Sequence, residues 1–296
     1  DATIAQMENP QISLEQLLKY IPGPDFPTGG LIIGQQEILK AYRTGKGKII
    51  IRAKVDIEDM DGGKKALVIT ELPYQVNKAN LLEKILKLSE ERKGILTGIA
   101  DIRDESDRNG IRAVIELKKD ADAVKILNYL YKYSDLQVTF GVNMVAIADG
   151  KPRLMNLKSI IGYYIDHQKN VITKRTKYDL KKAQSRAHIL EGLIKAIDNI
   201  DEVIAVIRSS KNPKEARKRL VDAFELTEIQ AQAILDMKLQ KLTNLESISL
   251  QKEYKATCKL IDRLNKILVS EKMLIKLIKK ELLAVKNNYS DDRRTV

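Results

Sequence analysis

LMNLKSIIGYYIDHQKNVITKRTKYDLKKAQSRAHILEGLIKAIDNIDEVIAVIRS, residues 154–209, contains no proline, and glycine only at Gly162 and Gly192. Apolar residues recur at Ala183, Ala187, Leu190, Ile194, Ile197, Ile204 and Ile207, in steps of three, four or seven. That spacing is the seam of a helix packed lengthwise on another helix. About 55 residues at a ~1.5 Å rise span on the order of 80 Å. A compact domain has no use for such a helix, so it is expected to project as a stalk.

Toward the C-terminus the run stops at the polar break of residues 209–213 (SSKNP). Residues 214–243 read as short helices, with Thr227 and Gln230 as a capping box. Helical periodicity resumes at Tyr254, Cys258, Ile261, Leu264, Leu268, Ile275, Ile278, Leu282 and Val285. Two long helices around a helical knob predict an antiparallel hairpin with a head at its tip. The knob holds more apolar side chains than so short a segment buries alone. Leu220, Phe224, Ile234 and Leu239 are therefore expected at a homodimer interface. The last residues, 288–296, read as a polar tail.

Toward the N-terminus the texture changes at Gly150-Lys151-Pro152. Residues 31–150 alternate strand and helix signals. LIIG, KIIIRAKVDI and KALVITEL read as strands, the last two joined by a hairpin at Asp61-Gly62-Gly63. Residues 77–93 form an amphipathic helix capped by Asn77, and DADAVKILNYLYKY a second helix. GIADIRDES and GIRAVIELK pair across Asn109-Gly110. Before them, residues 22–30 (PGPDFPTGG) are a non-helical loop. Residues 12–20 form a short helix, with Ser13 as N-cap and Gln16 closing a capping box. The chain is thus α+β, mostly α: an α/β domain, a long antiparallel coiled-coil stalk and a small helical dimerisation head. A core with no Trp, three Phe and abundant Leu and Ile fits long packed helices.

Few catalytic classes survive inspection. No phosphate-binding GxxxxGK[ST] loop, HExxH or GxSxG is present. One cysteine, Cys258, and two histidines, His167 and His188, exclude an internal disulfide and argue against zinc; all three read as packing or capping residues. Asp101, Asp104, Glu105 and Asp107 could hold Mg²⁺, but Arg103, Arg108 and Arg112 among them favour an ion-paired surface. No apolar stretch is long enough to span a membrane, and the chain reads as cytosolic.

The basic residues are more informative. Fifty-two Lys and Arg against 40 Asp and Glu give a net charge of +12, and nucleic acid is the commonest polyanion partner of such a surface. Arg43, Lys46, Lys48, Arg52 and Lys54 bracket a loop and strand, with Lys48, Arg52 and Lys54 on one strand face, a plausible phosphate track. The GKG of residues 45–47 is either a turn or a close backbone approach to phosphate. A second basic run, residues 169–186, includes Lys174, Arg175, Lys177 and Lys181 and could guide DNA through a cavity. A solvated stalk with incidental charge is the competing interpretation.

Seven motifs now occur in a recognisable order: IPGPDFPTGG, AYRTGKGK, TELPYQVNKA, DIRDESDRNGIR, LNYLYKYSDLQ, HILEGL and QAILDMKLQKLT. They resemble the breakage-reunion region of the A subunits of bacterial type IIA topoisomerases, gyrase and topoisomerase IV, over essentially all 296 residues. QAILDMKLQKLT and the closing DDRRT resemble gyrase more. The resemblance implies the end of a winged-helix region (1–22), an α/β tower (23–150), two coiled-coil arms (151–208 and 246–287) and a C-gate dimerisation head (209–245). It implies a holoenzyme that passes one duplex through a transient break in another, a homodimer joined to B subunits as A2B2. Mg²⁺ and ATP would be bound by the B subunit, with no metal or cofactor here. The family's nucleophile is a Tyr following an Arg. No Tyr here is preceded by Arg, so the catalytic Tyr is expected upstream of this chain. Family members also wedge an Ile between base pairs, and Ile32 in PTGGLIIG is the best match, Ile33 the second.

Overall fold

The computed structural model describes residues 1–91, 94–238 and 244–296, the side chains of 244–246 excepted. The fold is α+β and mostly helical, in two compact units: Asp1–Ile165 with Val285–Val296, and Asp166–Ala284.

The first unit opens with α1 (Ala2–Glu8) and α2 (Leu14–Leu18). The Ser13–Gln16 capping box is formed as expected, with the Gln16 amide donating to Ser13 Oγ at 3.2 Å and the Ser13 amide to Gln16 Oε1 at 3.0 Å. Then follow β1 (Leu31–Ile33), α3 (Gln35–Thr44), β2 (Lys46–Arg52), β3 (Lys54–Met60) and β4 (Lys64–Glu71). After them come α4 (Lys78–Glu91), β5 (Ile99–Asp104), β6 (Ala113–Leu117), α5 (Ala123–Tyr133), β7 (Gln137–Asn143), β8 (Val145–Ala148) and β9 (Lys151–Leu154).

The strands make a three-stranded sheet β1-β2-β7, a four-stranded sheet β3-β4-β6-β5 and the hairpin β8-β9. In the four-stranded sheet's core, Leu67, Ile69, Ile115 and Leu117 cluster with Leu81 and Ile85 of α4 and Ile126 and Leu130 of α5, all fully buried or nearly so. Burying each such side chain contributes about 1.5–3 kcal/mol.

KIIIRAKVDI is not one strand. It breaks at the buried Ala53, whose amide donates to Leu136 O at 2.8 Å, and β2 and β3 enter different sheets. A small residue is what the crossing between the two sheets accommodates. Strands β7, β8 and β9 and helix α3 lay outside the sequence expectation. Asp149 and Gly150, both at positive φ (52° and 74°), close the β8-β9 hairpin, as tight two-residue turns require. Residues 151–154 therefore belong to a strand, and the first arm begins at Leu157 rather than Lys151.

The polar tail is also docked rather than loose. Thr295 is buried, and its Oγ1 accepts from the Phe26 amide at 2.7 Å. Arg293 donates to the carbonyls of Gly23 and Pro24, both at 2.8 Å. Val296 bridges Gly30 and Ile32 by backbone bonds of 3.0 and 2.8 Å. The proline-rich loop of residues 22–30 cannot satisfy its own carbonyls by regular structure, and the tail satisfies several of them.

Helix α6 (Leu157–Asp198) runs 42 residues, about 63 Å at the standard rise. It stops short of the expected span because Asn199 leaves helical geometry (φ −122°, ψ 40°) before α7 (Ile200–Arg208). The second unit continues with α8 (Pro213–Phe224), α9 (Glu228–Leu235), α10 (Asn244–Val269) and α11 (Glu271–Tyr289). Ser270 interrupts what was expected to be one returning helix. Lys169 pairs with Glu271 and Arg186 with Glu253. Arg186 thus ties α6 to α10, while Lys169 and, with Glu281, Arg175 tie it to α11.

The head contradicts one expectation. Leu220, Phe224 and Ile234 are 0, 8 and 3% exposed within the single chain. They pack with Leu190, Leu193 and Ala196 of α6, Val203 of α7 and Leu250 of α10. The knob was judged too short to bury them alone, but the adjoining ends of α6 and α10 complete its core. These three are core residues, not an exposed interface, and Leu239 lies outside the described residues. Among the described residues of the head, Ile229 on α9 is the large apolar residue left to solvent, 63% exposed.

Candidate nucleic-acid interface

Strand alternation sorts β2 into two faces. Gly47, Ile49 and Ile51 face inward, with Ile49 and Ile51 wholly buried. Lys46, Lys48, Ile50 and Arg52 face outward. Across the β2–β7 pairing these four oppose Asn143, Gly141, Thr139 and Gln137. The outer face thus holds three cations and no acid. Lys46 and Lys48 are exposed, and Gly141 offers Lys48 no side-chain neighbour across the strand. Arg52 is partly engaged: Nε donates to Gln137 Oε1, and its guanidinium stacks 4.7 Å above the Tyr131 ring. A planar cation held flat in this way keeps its charge on the sheet surface.

Two of the expected basic residues sit elsewhere. Lys54 belongs to β3 and the other sheet, with its ammonium 3.6 Å from Glu71 Oε1, so it does not share a face with Lys48 and Arg52. Arg43, in the last turn of α3, pairs with Glu15 at 3.2 Å. Of the GKG segment only Gly45 lies between elements, and Lys46 and Gly47 open β2. Gly45 caps α3 in the left-handed region at φ 79°. At Gly47 a β-carbon would stand 2.7 Å from Ala41 Cβ, so glycine there lets β2 lie close on α3.

The resemblance matched Ile32 to an Ile that enters a base step, within a stretch, LIIG, that read as a strand. The strand forms, and Ile32 is the middle residue of β1, directly opposite the wholly buried Ile51. Opposite residues of an antiparallel pair point to the same side, so Ile32 lies on the covered side. Beside Gly23 its Cδ1 converges with that of Ile38. Ile33 opposes Ile50 and lies on the outer face with the cations.

On α6, Lys174, Lys177 and Lys181 are exposed and share one helix face. Arg175 turns to Glu281. Together with Lys169–Glu271 at 2.8 Å and the two-pronged Arg186–Glu253 contact at 2.8 and 2.9 Å, it ties helices within this unit together. A further row escaped the sequence reading: Lys252, Lys255, Lys259, Arg263 and Lys266 on α10, all exposed. The signal was present as steps of three and four, overlaid on the apolar seam of the same helix.

The acidic cluster is an ion-paired surface. Lys78 meets Asp104 at 2.7 Å, Arg112 meets Glu58 at 2.8 Å and Glu105 at 3.2 Å, and Arg103 meets Asp101, Glu105 and Glu116. The Lys78 ammonium and Ser106 hold the Asp104 carboxyl down at about 2. His188 joins α6 to the start of α9: its Nε2 lies 2.7 Å from Thr227 Oγ1, and Gln230 Nε2 donates to its carbonyl at 2.8 Å. Gly192 permits this contact, since a β-carbon would stand 2.7 Å from Gln230 Cβ. Among the described residues, no helix is long and apolar enough to cross a membrane.

The model of a family described as the A subunit of DNA gyrase/topoisomerase IV matches residues 1–283. The DNA gyrase A subunit of Clostridium acetobutylicum is 50% identical over 295 residues, covering 100% of this chain and 35% of that protein. The DNA topoisomerase 4 A subunit of Bacillus subtilis is 50% identical over 296 residues, covering 100% and 36%. That of Staphylococcus epidermidis is 49% identical over 291 residues, covering 98% and 36%. The chain spans about a third of the length of these curated relatives.

Proposed function

This chain belongs to the family of DNA gyrase and topoisomerase IV A subunits, and from that premise we propose that it is the DNA-holding and dimerising part of a gyrase A subunit. The assembled enzyme is an ATP-hydrolysing type II topoisomerase that acts in the cytoplasm. It changes supercoiling by passing one duplex through a transient break in another. The acid-free outer face of β2, carrying Lys46, Lys48 and Arg52, supports the DNA-holding role. Cations without competing carboxylates lose least when phosphates replace their water.

In this reading the nucleophilic Tyr lies upstream. The B subunit supplies Mg²⁺ and ATP in an A2B2 assembly, and two A subunits meet through residues 209–245. No step of strand cleavage is assigned to these 296 residues; their side chains grip phosphate. A topoisomerase IV A subunit is the second reading, favoured by the 50% identity to the Bacillus subtilis protein. Supercoiling and decatenation by the full-length protein with its B subunit separate the two. Introduction of negative supercoils supports gyrase, and decatenation without supercoiling supports topoisomerase IV. Absence of both activities overturns the topoisomerase reading.

A further inference from the structure

Helix α10 carries five exposed cations at positions 252, 255, 259, 263 and 266. At about 100° per residue these fall within one sector of roughly 80°, and the row is about 21 Å long at the helical rise. The opposite side of α10 is apolar: Leu250, Ile261 and Leu264 are buried or half-buried. The one α10 carboxylate bordering the row is Asp262, at its rim.

Cations of α6 in the same unit divide: Lys174, Lys177 and Lys181 are exposed and unpaired, while others bind acids. Lys169, Arg175 and Arg186 each meet a glutamate of a facing helix. None of the five on α10 has an ion pair or side-chain hydrogen bond among the described residues. Cations that only solubilise a helix are commonly interleaved with acids at three- and four-residue spacing. Over four turns this row has one carboxylate at that spacing, Asp262, three residues after Lys259 and four before Lys266, and it pairs with neither.

We propose that Lys252, Lys255, Lys259, Arg263 and Lys266 form a second duplex-DNA track, separate from the β2 face, that contacts the phosphate backbone and reads no bases. The inference rests on the reading that the assembled protein holds duplex DNA. Backbone contacts along one helix face suit a duplex that moves, because they are the same at every register.

The test is duplex binding by the full-length protein with its B subunit, across a salt series. Lys252, Lys255, Lys259, Arg263 and Lys266 are changed together to Gln, which matches Lys and Arg in helix propensity. A comparison variant changes Lys118, Lys119 and Lys151 to Gln on the other unit, and thermal melting is followed for both. The five-fold variant should melt normally, and its log–log salt slope should become shallower by about one unit per lost phosphate contact, about three units or more in all. The comparison variant should shift the slope by less than about one unit. An unchanged slope in the five-fold variant overturns the track. So does an equal shift per charge in both variants, which would be a net-charge effect. A wild-type assembly whose duplex binding ignores salt overturns the DNA-holding reading itself, and the track with it.

Discussion

Ile32 stands directly opposite Ile51 in the pairing of β1 with β2. Ile51 is wholly buried, so Ile32 shares its covered side and Ile33 takes the outer one. Ile32→Ala should therefore lower stability by about 1–3 kcal/mol, less than truncating a wholly buried isoleucine. It should leave the salt dependence of duplex binding unchanged. Ile33→Ala should melt normally. Thermal melting and a fluorescence assay of DNA bending decide: normal melting with lost bending for Ile32→Ala would return the wedge to Ile32.

The split of KIIIRAKVDI at Ala53 separates lysines that looked equivalent. Lys46→Gln and Lys48→Gln should weaken duplex binding alike across sequences, and each should make the salt slope shallower by about one unit. Lys54→Gln should do neither, because Lys54 faces Glu71 on the other sheet. A salt titration of the three single variants in the full-length protein is the measurement. An equal effect at Lys54 would mean that the sheet assignment does not govern DNA contact.

These first two cases show where a sequence is readable. Local chemistry was legible: the Ser13–Gln16 and Thr227–Gln230 boxes, the Asp61-Gly62-Gly63 hairpin and the seam Ala183, Ala187 and Leu190 all reappear in the structure. What failed depended on distant partners. Nothing within KIIIRAKVDI says that its halves join different sheets, because Leu136 supplies the pairing at Ala53. Nothing in residues 209–245 says that Leu190 and Leu250 will close the head. Strand β7 is the exception: it alternates from Val138 to Asn143, half-buried against exposed, so VTFGVN carried a strand signal that was passed over. The basic face of β2 was half legible: Lys46, Lys48 and Arg52 were named, and their freedom from acids came only with β7.

The head's core residues give a prediction opposite to an interface role. Leu220→Ala, Phe224→Ala and Ile234→Ala should each cost about 2–5 kcal/mol of stability, whatever the oligomeric state. Ile229→Asp, on an exposed position, should melt almost normally and weaken self-association. Sedimentation combined with thermal melting on the four variants checks this. Stable, monomeric Leu220→Ala would show that the side chain serves the partner rather than the core.

The docked tail responds to acid in a direction its contacts fix. Asp25 accepts the Thr295 amide at 2.8 Å and the Arg294 amide at 3.2 Å. The Thr295 amide is the largest influence holding the Asp25 carboxyl below the usual carboxylate range, and the Arg294 amide and Arg293 charge add to it. A depressed carboxylate stabilises the fold above its unfolded pKa, and that contribution fades as pH falls through the lower folded value. The tail should therefore stay docked at neutral pH and loosen in acid below about pH 4. Amide exchange of residues 293–296, corrected for the intrinsic rate, should show protection lost over that window. Asp25→Ala should remove the protection at neutral pH. Thr295→Val adds a second check, because it deprives the Phe26 amide of its acceptor, a loss of about 1–3 kcal/mol for a buried donor. Trypsin should then cut at Arg293 and Arg294 in Thr295→Val well before it cuts them in the wild type, with Thr295→Ser restoring resistance. Equal cleavage of all three proteins, or protection that does not change with pH, would mean that the tail is held by something other than Asp25 and Thr295.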